Sequence, residues 1–436
     1  MKRIAYLVLV ACSAMNAHAA NLLDIYRDAL VSDSQFNSAR AQLESGKEKG
    51  PQGTANILPV LNMTGASSYT RTDVELVSNP VNFGFNTNSY QVQLTQPLFR
   101  WQNWVSYKQG DLQVGLAQAQ FQTARNDLAL RAAQTYFDVL YAEEVLASVQ
   151  ALKSAADQQL QLSKKSFQVG TVTITDVNEA QSKYDLASAQ EIAAQSDLIV
   201  KREALSLLSG KPPQTLARLR PGVQITAPIP ASMEDWVGSA EKNNPAVQAQ
   251  QLALEIAKRD VEKARAGHLP TVDMVASYSN VHLTNTNNGN PSLVRNGAVG
   301  VQLQLPLYAG GATQSKVRES LALSTKAESD LETQRRTAVQ AARQAFVGVT
   351  SGIAQVRGYE AAVLSSKSAV DSNKLGYEVG VRINIDVLNA QSSLADTQQK
   401  LAKARYDTLI AQLKLKAATG TIEAEDMAQI NALLVP

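Results

Sequence analysis

Asp176 and Asp386 hold equivalent places in two copies of one segment, and their type and spacing are the first features open to a chemical reading. The first copy reads SFQVGTVTITDVNEAQS from Ser166 to Ser182, the second GYEVGVRINIDVLNAQS from Gly376 to Ser392. Asp176 is followed three residues later by Glu179, and Asp386 by Asn389, the spacing of a helix N-cap and its N3 partner. Carboxylates so placed accept backbone hydrogen bonds rather than transfer protons. Other reactive groups are sparse. His268 and His282 stand alone in loop-like stretches, where solvated surface outweighs metal ligation, and His18 lies in the N-terminal segment. No phosphate-cradling loop and no nucleophile motif is found. The expectation is a protein without catalysis, metal or cofactor.

These segments belong to a longer duplication with a spacing of about 210 residues. Leu58-Pro59 matches Leu269-Pro270, Pro97-Leu98-Phe99 matches Pro306-Leu307-Tyr308, and Leu205 to Gly210 matches Leu415 to Gly420. Such a period is far longer than a solenoid repeat, so each half is a complete multi-element unit. The expected divisions are a signal peptide over 1–19, a first repeat over 20–210, a Pro-rich linker over 211–233, a second repeat over 234–420 and a terminal segment over 421–436, the linker and the terminal segment both being short and irregular.

With 41 basic and 39 acidic residues the chain lacks the basic excess of a nucleic-acid binder. Only 6% of residues are aromatic, a composition suited to long helices rather than one large globular core. Lys2-Arg3, the apolar run Ile4 to Ala11 and Ala17-His18-Ala19 read as a signal peptide cut near Ala20. Cys12 lies in Leu9-Val10-Ala11-Cys12, which looks like a lipoprotein box, but cutting there would leave a very short signal. Beyond that segment no apolar run reaches the length of about 18 residues that a spanning helix needs, which leaves soluble export or a membrane β-barrel.

The positioning elements follow from periodicity. Helical pattern runs from Leu22 to about Glu48 and again from about Glu234 to Arg265, with Pro245 falling where Ser34 lies, so each begins as two short helices. After each Leu-Pro pair comes a strand pattern: Leu61, Met63 and Tyr69 alternate with polar residues, as do Val272, Met274, Ala276 and Tyr278. A second pair follows, with Tyr90, Val92 and Leu94, then Val299, Val301, Leu303 and Leu305. One face is apolar and the other polar but rarely charged, the pattern of a transmembrane strand. The Asn- and Gly-rich links Val74 to Asn88 and His282 to Asn296 read as exposed loops, and Phe99, Trp101, Trp104 and Tyr308 as an interfacial cluster. A soluble sandwich is the alternative, disfavoured because four strands separated by long helices are too few.

Pro97 and Pro306 are expected to close the strands, with unbroken helix following to about Phe167 and Tyr377. At 1.5 Å per residue, about 65 residues make a rod of roughly 100 Å. Leu128, Ala132, Thr135, Val139, Ala142, Leu146 and Val149 form a heptad seam, while Phe137 and Leu140 start a second. Two seams mean two helical neighbours, as in the wall of a tube; an antiparallel coiled coil is the alternative. Gly170 suits a left-handed helix end, and Thr175-Asp176 suits the start of a return helix, so Thr171 to Ile174 and Val381 to Ile385 are hairpin tips. Four strands per chain cannot close a membrane barrel, so two chains with eight strands or three with twelve must share it.

The strand-loop-strand plus hairpin layout, the VGTVTITDV and VGVRINIDV tips and the Tyr-x-Val-Gly-x-Arg run from Tyr377 to Arg382 resemble the TolC family of outer-membrane channel-tunnels across essentially the whole mature chain. The resemblance implies a mainly α fold with a transmembrane β section, shared in a homotrimer as a twelve-stranded β-barrel in outer-membrane lipid and a twelve-helix α-barrel across the periplasm. It also implies docking, through a periplasmic adaptor, onto an inner-membrane efflux pump or ABC transporter that delivers small toxic compounds or polypeptides. The family's entrance links would join Asp176 to Tyr377 and Thr175 to Arg382, and its acidic constriction would map to Asp386 and Asn389. Asparagine at 389 departs from the family's second aspartate, leaving one ring of carboxylates. A periplasmic adaptor would have one hairpin and no duplicated strands, and a structural coiled-coil fibre would not need strands with one polar and one apolar face.

Overall fold

The computed structural model describes residues 19–74, 81–212, 215–284 and 291–435. The leader with Cys12, and the centres of the two expected loops, lie outside the described residues. The first repeat folds as α1 (Leu22–Ser32), α2 (Ser34–Lys47), α3 (Lys49–Ala55), β1 (Val60–Val74), β2 (Val81–Phe99), α4 (Trp101–Gln168) and α5 (Ile174–Ser209), followed by the short β3 (Arg218–Leu219). The second folds as α6 (Met233–Asn243), α7 (Pro245–Arg265), β4 (Thr271–Leu283), β5 (Ser292–Gln304), α8 (Ala312–Glu378) and α9 (Asn384–Ala418), followed by α10 (Ala424–Asn431) and β6 (Leu434–Val435).

The expected break in each opening helix is present, made by different chemistry. In the second repeat Asn244 is extended and Pro245 starts α7. In the first, extended Asp33 separates α1 from α2, and its carboxylate accepts the Phe36 N–H at 2.8 Å, capping α2. Arg131 on α4 donates to both oxygens of Asp33, at 3.1 and 2.8 Å, so one buried acid starts a helix and anchors it to another.

The sheet has the order β1-β2-β4-β5, antiparallel throughout, so one hairpin from each repeat joins through β2 and β4. Register aligns Leu61, Leu94, Ala276 and Val299 in one row and Met63, Val92, Tyr278 and Gly297 in another. The intervening rows are Asn62, Gln93, Ser277, Ala298 and Thr64, Gln91, Ser279, Asn296, with Gln91 donating to Gln93 and Gln93 to Thr95 along the polar face. The apolar face is open: Met63 is 71% and Val299 79% exposed. β1 and β5 are both edge strands, each with one flank unpaired within the chain.

Three expectations about the strands are corrected. The links are shorter than the spans 74–88 and 282–296: β2 already starts at Val81, β4 continues to Leu283 and β5 starts at Ser292. Asn86 and Asn88 pair with Tyr69 and Ser67 across the ladder, and Ser67 donates to Asn88 at 2.7 Å. Asparagine signals a turn only where the backbone lacks a partner. Pro97 does not close β2, which runs on to Phe99 with a register shift between them. Its missing N–H costs nothing there, because β1 pairs only as far as Thr95 and leaves that flank free.

The long helices α4 and α8 have 68 and 67 residues, and their return helices 36 and 35, so the duplication is nearly exact in length. The heptad seam of α4 is buried at Leu128, Ala132, Val139, Ala142 and Val149 and half-buried at Thr135 and Leu146. Both neighbours expected of α4 are there. Arg202 of α5 reaches Glu143 at 2.7 Å, while Tyr406 of α9 donates to Glu144 and stacks on Phe137 with ring centres 5.4 Å apart. The terminal segment is not irregular as expected: Glu423 and Asp426 form a reciprocal cap, and buried Met427 and Ile430 hold α10 in place.

Among the described residues, one compact unit gathers those up to Ser38 with those within Ala124–Asn244 and from Ala338 onward, and the other holds those within Ala39–Thr123 and Pro245–Thr337. The Asp33–Arg131 pair belongs to the first. Its hydrogen bond to Arg131 holds the Asp33 carboxyl below the usual carboxylate value, more strongly than burial raises it. A depressed folded pKa means that the stabilisation is complete above about pH 4 and is lost as pH falls through the folded value. Arg131→Met should therefore destabilise this unit by about 1–2 kcal/mol at pH 7. Thermal unfolding in detergent should show the gap between parent and variant shrinking towards pH 3.

Candidate functional site

The two hairpin tips share a backbone and differ in side-chain chemistry. At the first, the Gly170 N–H donates to Phe167 O and the Thr171 N–H to Ser166 O, with Gly170 at φ +78°. At the second, the Gly380 N–H donates to Tyr377 O and the Val381 N–H to Gly376 O, with Gly380 also at +78°. Both are Schellman-type ends, for which the left-handed glycine is the permissive residue.

The return helices begin earlier than expected, at Ile174 rather than Thr175 and at Asn384 rather than beyond a tip ending at Ile385. Thr173 caps α5, and the partnership is reciprocal: its hydroxyl accepts the Asp176 N–H at 3.3 Å, while the Asp176 carboxylate accepts the Thr173 N–H at 2.8 Å and its hydroxyl at 2.7 Å. Asp176 is thus the N3 member of a capping box, not an N-cap paired with Glu179. The N-cap is Thr173, three residues before Asp176, so the capping frame lies one helical turn earlier than the Asp176–Glu179 spacing suggests. Thr175 lies exposed in the first turn.

At the equivalent place α9 starts after Ile383, whose side chain cannot cap. Asp386 is again N3, but its carboxylate turns to Arg382, with Arg382 Nη1 3.6 Å from Asp386 Oδ2. Gly376 permits this. A Cβ there would come within 2.7 Å of Arg382 Cγ, so only glycine lets the arginine stem lie across the end of α8. Tyr377 is half-buried and Asn389 exposed. Within one chain no hydrogen bond joins Asp176 to Tyr377 or Thr175 to Arg382. Each acid instead has a partner in its own tip.

The tips are held to each other by a seam of α4, α5 and α9. Ala156 and Leu160 of α4, Ala180 of α5 and Leu388 of α9 form a buried cluster, flanked by Val177 and Tyr184. Further along, Lys153 of α4 pairs with Glu191 of α5 at 2.8 Å, and the hydrogen bond from Lys153 holds the Glu191 carboxyl below its ordinary value. At the end of the seam Asn384, the first residue of α9, donates from Nδ2 to Ser163 Oγ of α4. Neither Asn384 nor Ser163 was identified from sequence. The only available signal was position: Asn384 lies one turn before Leu388, and Ser163 one turn after Leu160.

Residues 25–211 and 236–421 match the family described as outer membrane efflux protein. The chain belongs to that family. It is 32% identical over 421 residues to outer membrane protein TolC of Vibrio cholerae, covering 95% of this chain and 94% of that one. To proteases secretion protein PrtF of Dickeya chrysanthemi it is 28% identical over 439 residues, covering 99% and 95%. The solved outer membrane channel CmeC of Campylobacter jejuni superposes with a TM-score of 0.82 over 94% of this chain and 89% of that one, at 16% identity, a likeness of fold. The protein is accordingly an outer-membrane channel of the efflux family, extending into the periplasm, and not an enzyme.

Within this family fold the two tips differ in local stability, because one helix start is capped and the other is not. Thr173→Ala should lower protection from hydrogen exchange at the start of α5 about fivefold, a cap being worth about 1 kcal/mol. Ile383→Ser should raise protection at the start of α9 by a similar factor. Equal protection in parent and variants would show that the capping box does not hold the tip.

Proposed function

We propose that three copies of this chain form one duct, closed at rest by its hairpin tips, through which an inner-membrane efflux pump or ABC transporter exports its cargo with the help of a periplasmic adaptor. The observation carrying a shared barrel is the sheet with two open edges and one apolar face; between two chains with eight strands and three with twelve, membership of the outer membrane efflux family favours three. The relatives' names favour both kinds of cargo. The family name speaks for efflux, and PrtF is described as a proteases secretion protein.

In this reading Thr175, Asp176, Tyr377 and Arg382 link neighbouring tips, and Asp386 forms one ring of carboxylates at the entrance while Asn389 adds none. The link to Arg382 competes with the Asp386 carboxylate that Arg382 meets in its own tip. An arginine drawn to the neighbouring tip frees the ring to attract cations. An arginine returned to Asp386 neutralises it.

Two tests follow. In planar bilayers Tyr377→Phe with Arg382→Ser should raise resting conductance several-fold, because interhelical polar links are few and individually worth about 1 kcal/mol. Unchanged conductance at matched protein levels would count against tip links. Separately, Arg382→Ser alone should strengthen cation preference and block by trivalent metal ions, Asp386→Ala should weaken both, and Asn389→Asp should strengthen block, all read in one salt condition. Identical selectivity in all these variants would remove Asp386 from the entrance.

A further inference from the structure

The seam between the hairpins of one chain is apolar until its last layer. Ala156, Leu160 and Leu388 are each at most 2% exposed, yet the next layer towards the tip is Ser163 with Asn384, also buried, at 1% and 5%. Asn384 satisfies one half of its amide on Ser163 and leaves Oδ1 buried without a hydrogen-bond partner. An apolar pair of similar size would pack there with no such penalty. The duplication sharpens the point. The counterpart of Asn384 is Ile174, 53% exposed, and that of Ser163 is Asn373, whose amide bonds back to Ala369 in its own helix. The equivalent place in the other repeat thus holds no such link, and the shared ancestry of the two tips does not account for it.

We propose that Asn384 and Ser163 are a buried polar latch between the two hairpins of a chain, a pair of positioning residues that sets how readily α9 leaves α4 when the channel opens. The inference rests on the reading that the tips are the channel's entrance. A hydrogen bond across the seam fixes the first turn of α9, and with it Asp386 two residues later and the Arg382 that pairs with it. The half-satisfied amide keeps the closed arrangement only modestly favoured. Once the layer parts, both amide ends and the serine hydroxyl gain hydrogen bonds to water, so parting this layer is less costly than parting the leucine layer behind it.

The test uses the full-length channel in planar bilayers, with dye efflux measured in cells. Asn384→Ala removes the latch and should raise resting conductance about two- to tenfold. Asn384→Leu with Ser163→Ala continues the apolar seam; resting conductance should stay at or below that of the parent and efflux should fall several-fold, with the thermal midpoint unchanged or higher. A merely structural role would not separate efflux from stability in this way. Should Asn384→Ala reduce the amount of channel, Ser163→Ala, which removes one hydroxyl, gives the same readout.

Parent-like conductance in the single variants together with parent-like efflux in the apolar pair would overturn the latch. Tyr377→Phe with Arg382→Ser is run alongside. If only that variant opens the pore, the entrance reading stands and the latch falls. If only the latch variants do, the latch stands and the tip links fall; if none does, both fall.

Discussion

An unpaired backbone amide or carbonyl in hydrocarbon costs several kcal/mol, and β1 and β5 each present a full row of them on the outer flanks of the sheet. No arrangement of one chain removes both edges. The apolar face compounds the constraint, since Met63, Val299 and Leu303 are exposed on a surface that water would not leave so. Lipid satisfies the face and further strands satisfy the edges, and the polar ladder of Gln91, Gln93 and Thr95 then lies on the wet side. Each repeat delivers one strand hairpin to this sheet, β2 and β4 join the two hairpins, and each hairpin is followed in sequence by a helix far too polar to enter the bilayer. Among the described residues no helix is long and apolar enough to cross a membrane.

Duplication explains the scaffold but not the chemistry at its tips. The same turn, closed by Gly170 and Gly380 at the same φ, carries a capping threonine in one copy and Ile383 in the other. Asp176 is engaged by its own helix start. Losing the cap leaves Asp386 free to meet Arg382, and Gly376, where the first copy has Ser166, makes room for the arginine stem. One structural element thereby carries a reciprocal cap in one tip and a solvent-exposed ion pair in the other.

Features with a local cause were legible in the sequence. The glycine ends, the break at Pro245, the strand starts after each Leu-Pro pair and the double seam on α4 all follow from residues within a few turns of one another, whereas the break near Ser34 is legible only through its counterpart Pro245 in the other repeat. Features whose partners are distant were not. Asn86 and Asn88 read as loop because their ladder partners on β1 are invisible to a local pattern, and Pro97 read as a strand end because nothing local tells that β1 stops short of it. Ser163 and Asn384 are 221 residues apart, and neither type announces a buried link. The tip acids show a subtler failure: carboxylates three residues before another polar group suit a cap in either of two frames, and only the backbone distinguishes them.

The magnitudes decide where motion can begin. Burying a leucine contributes about 1.5–3 kcal/mol, so the α4–α9 contact around Phe137, Tyr406, Leu409 and Leu413, all at most 4% exposed, is the firm part of the seam. The Arg382–Asp386 pair, with Arg382 largely in water, is worth less than about 1 kcal/mol and is weakened further by salt. Between them lies a polar layer whose net contribution is about that of one hydrogen bond, reduced by an orphaned amide oxygen. Stability therefore falls along the hairpins from the Phe137 layer to the tips. A displacement of α9 that starts at its first turn and stops at Leu388 gives up the weak terms and keeps the strong ones, which is what a channel needs if its entrance is to open without its wall coming apart.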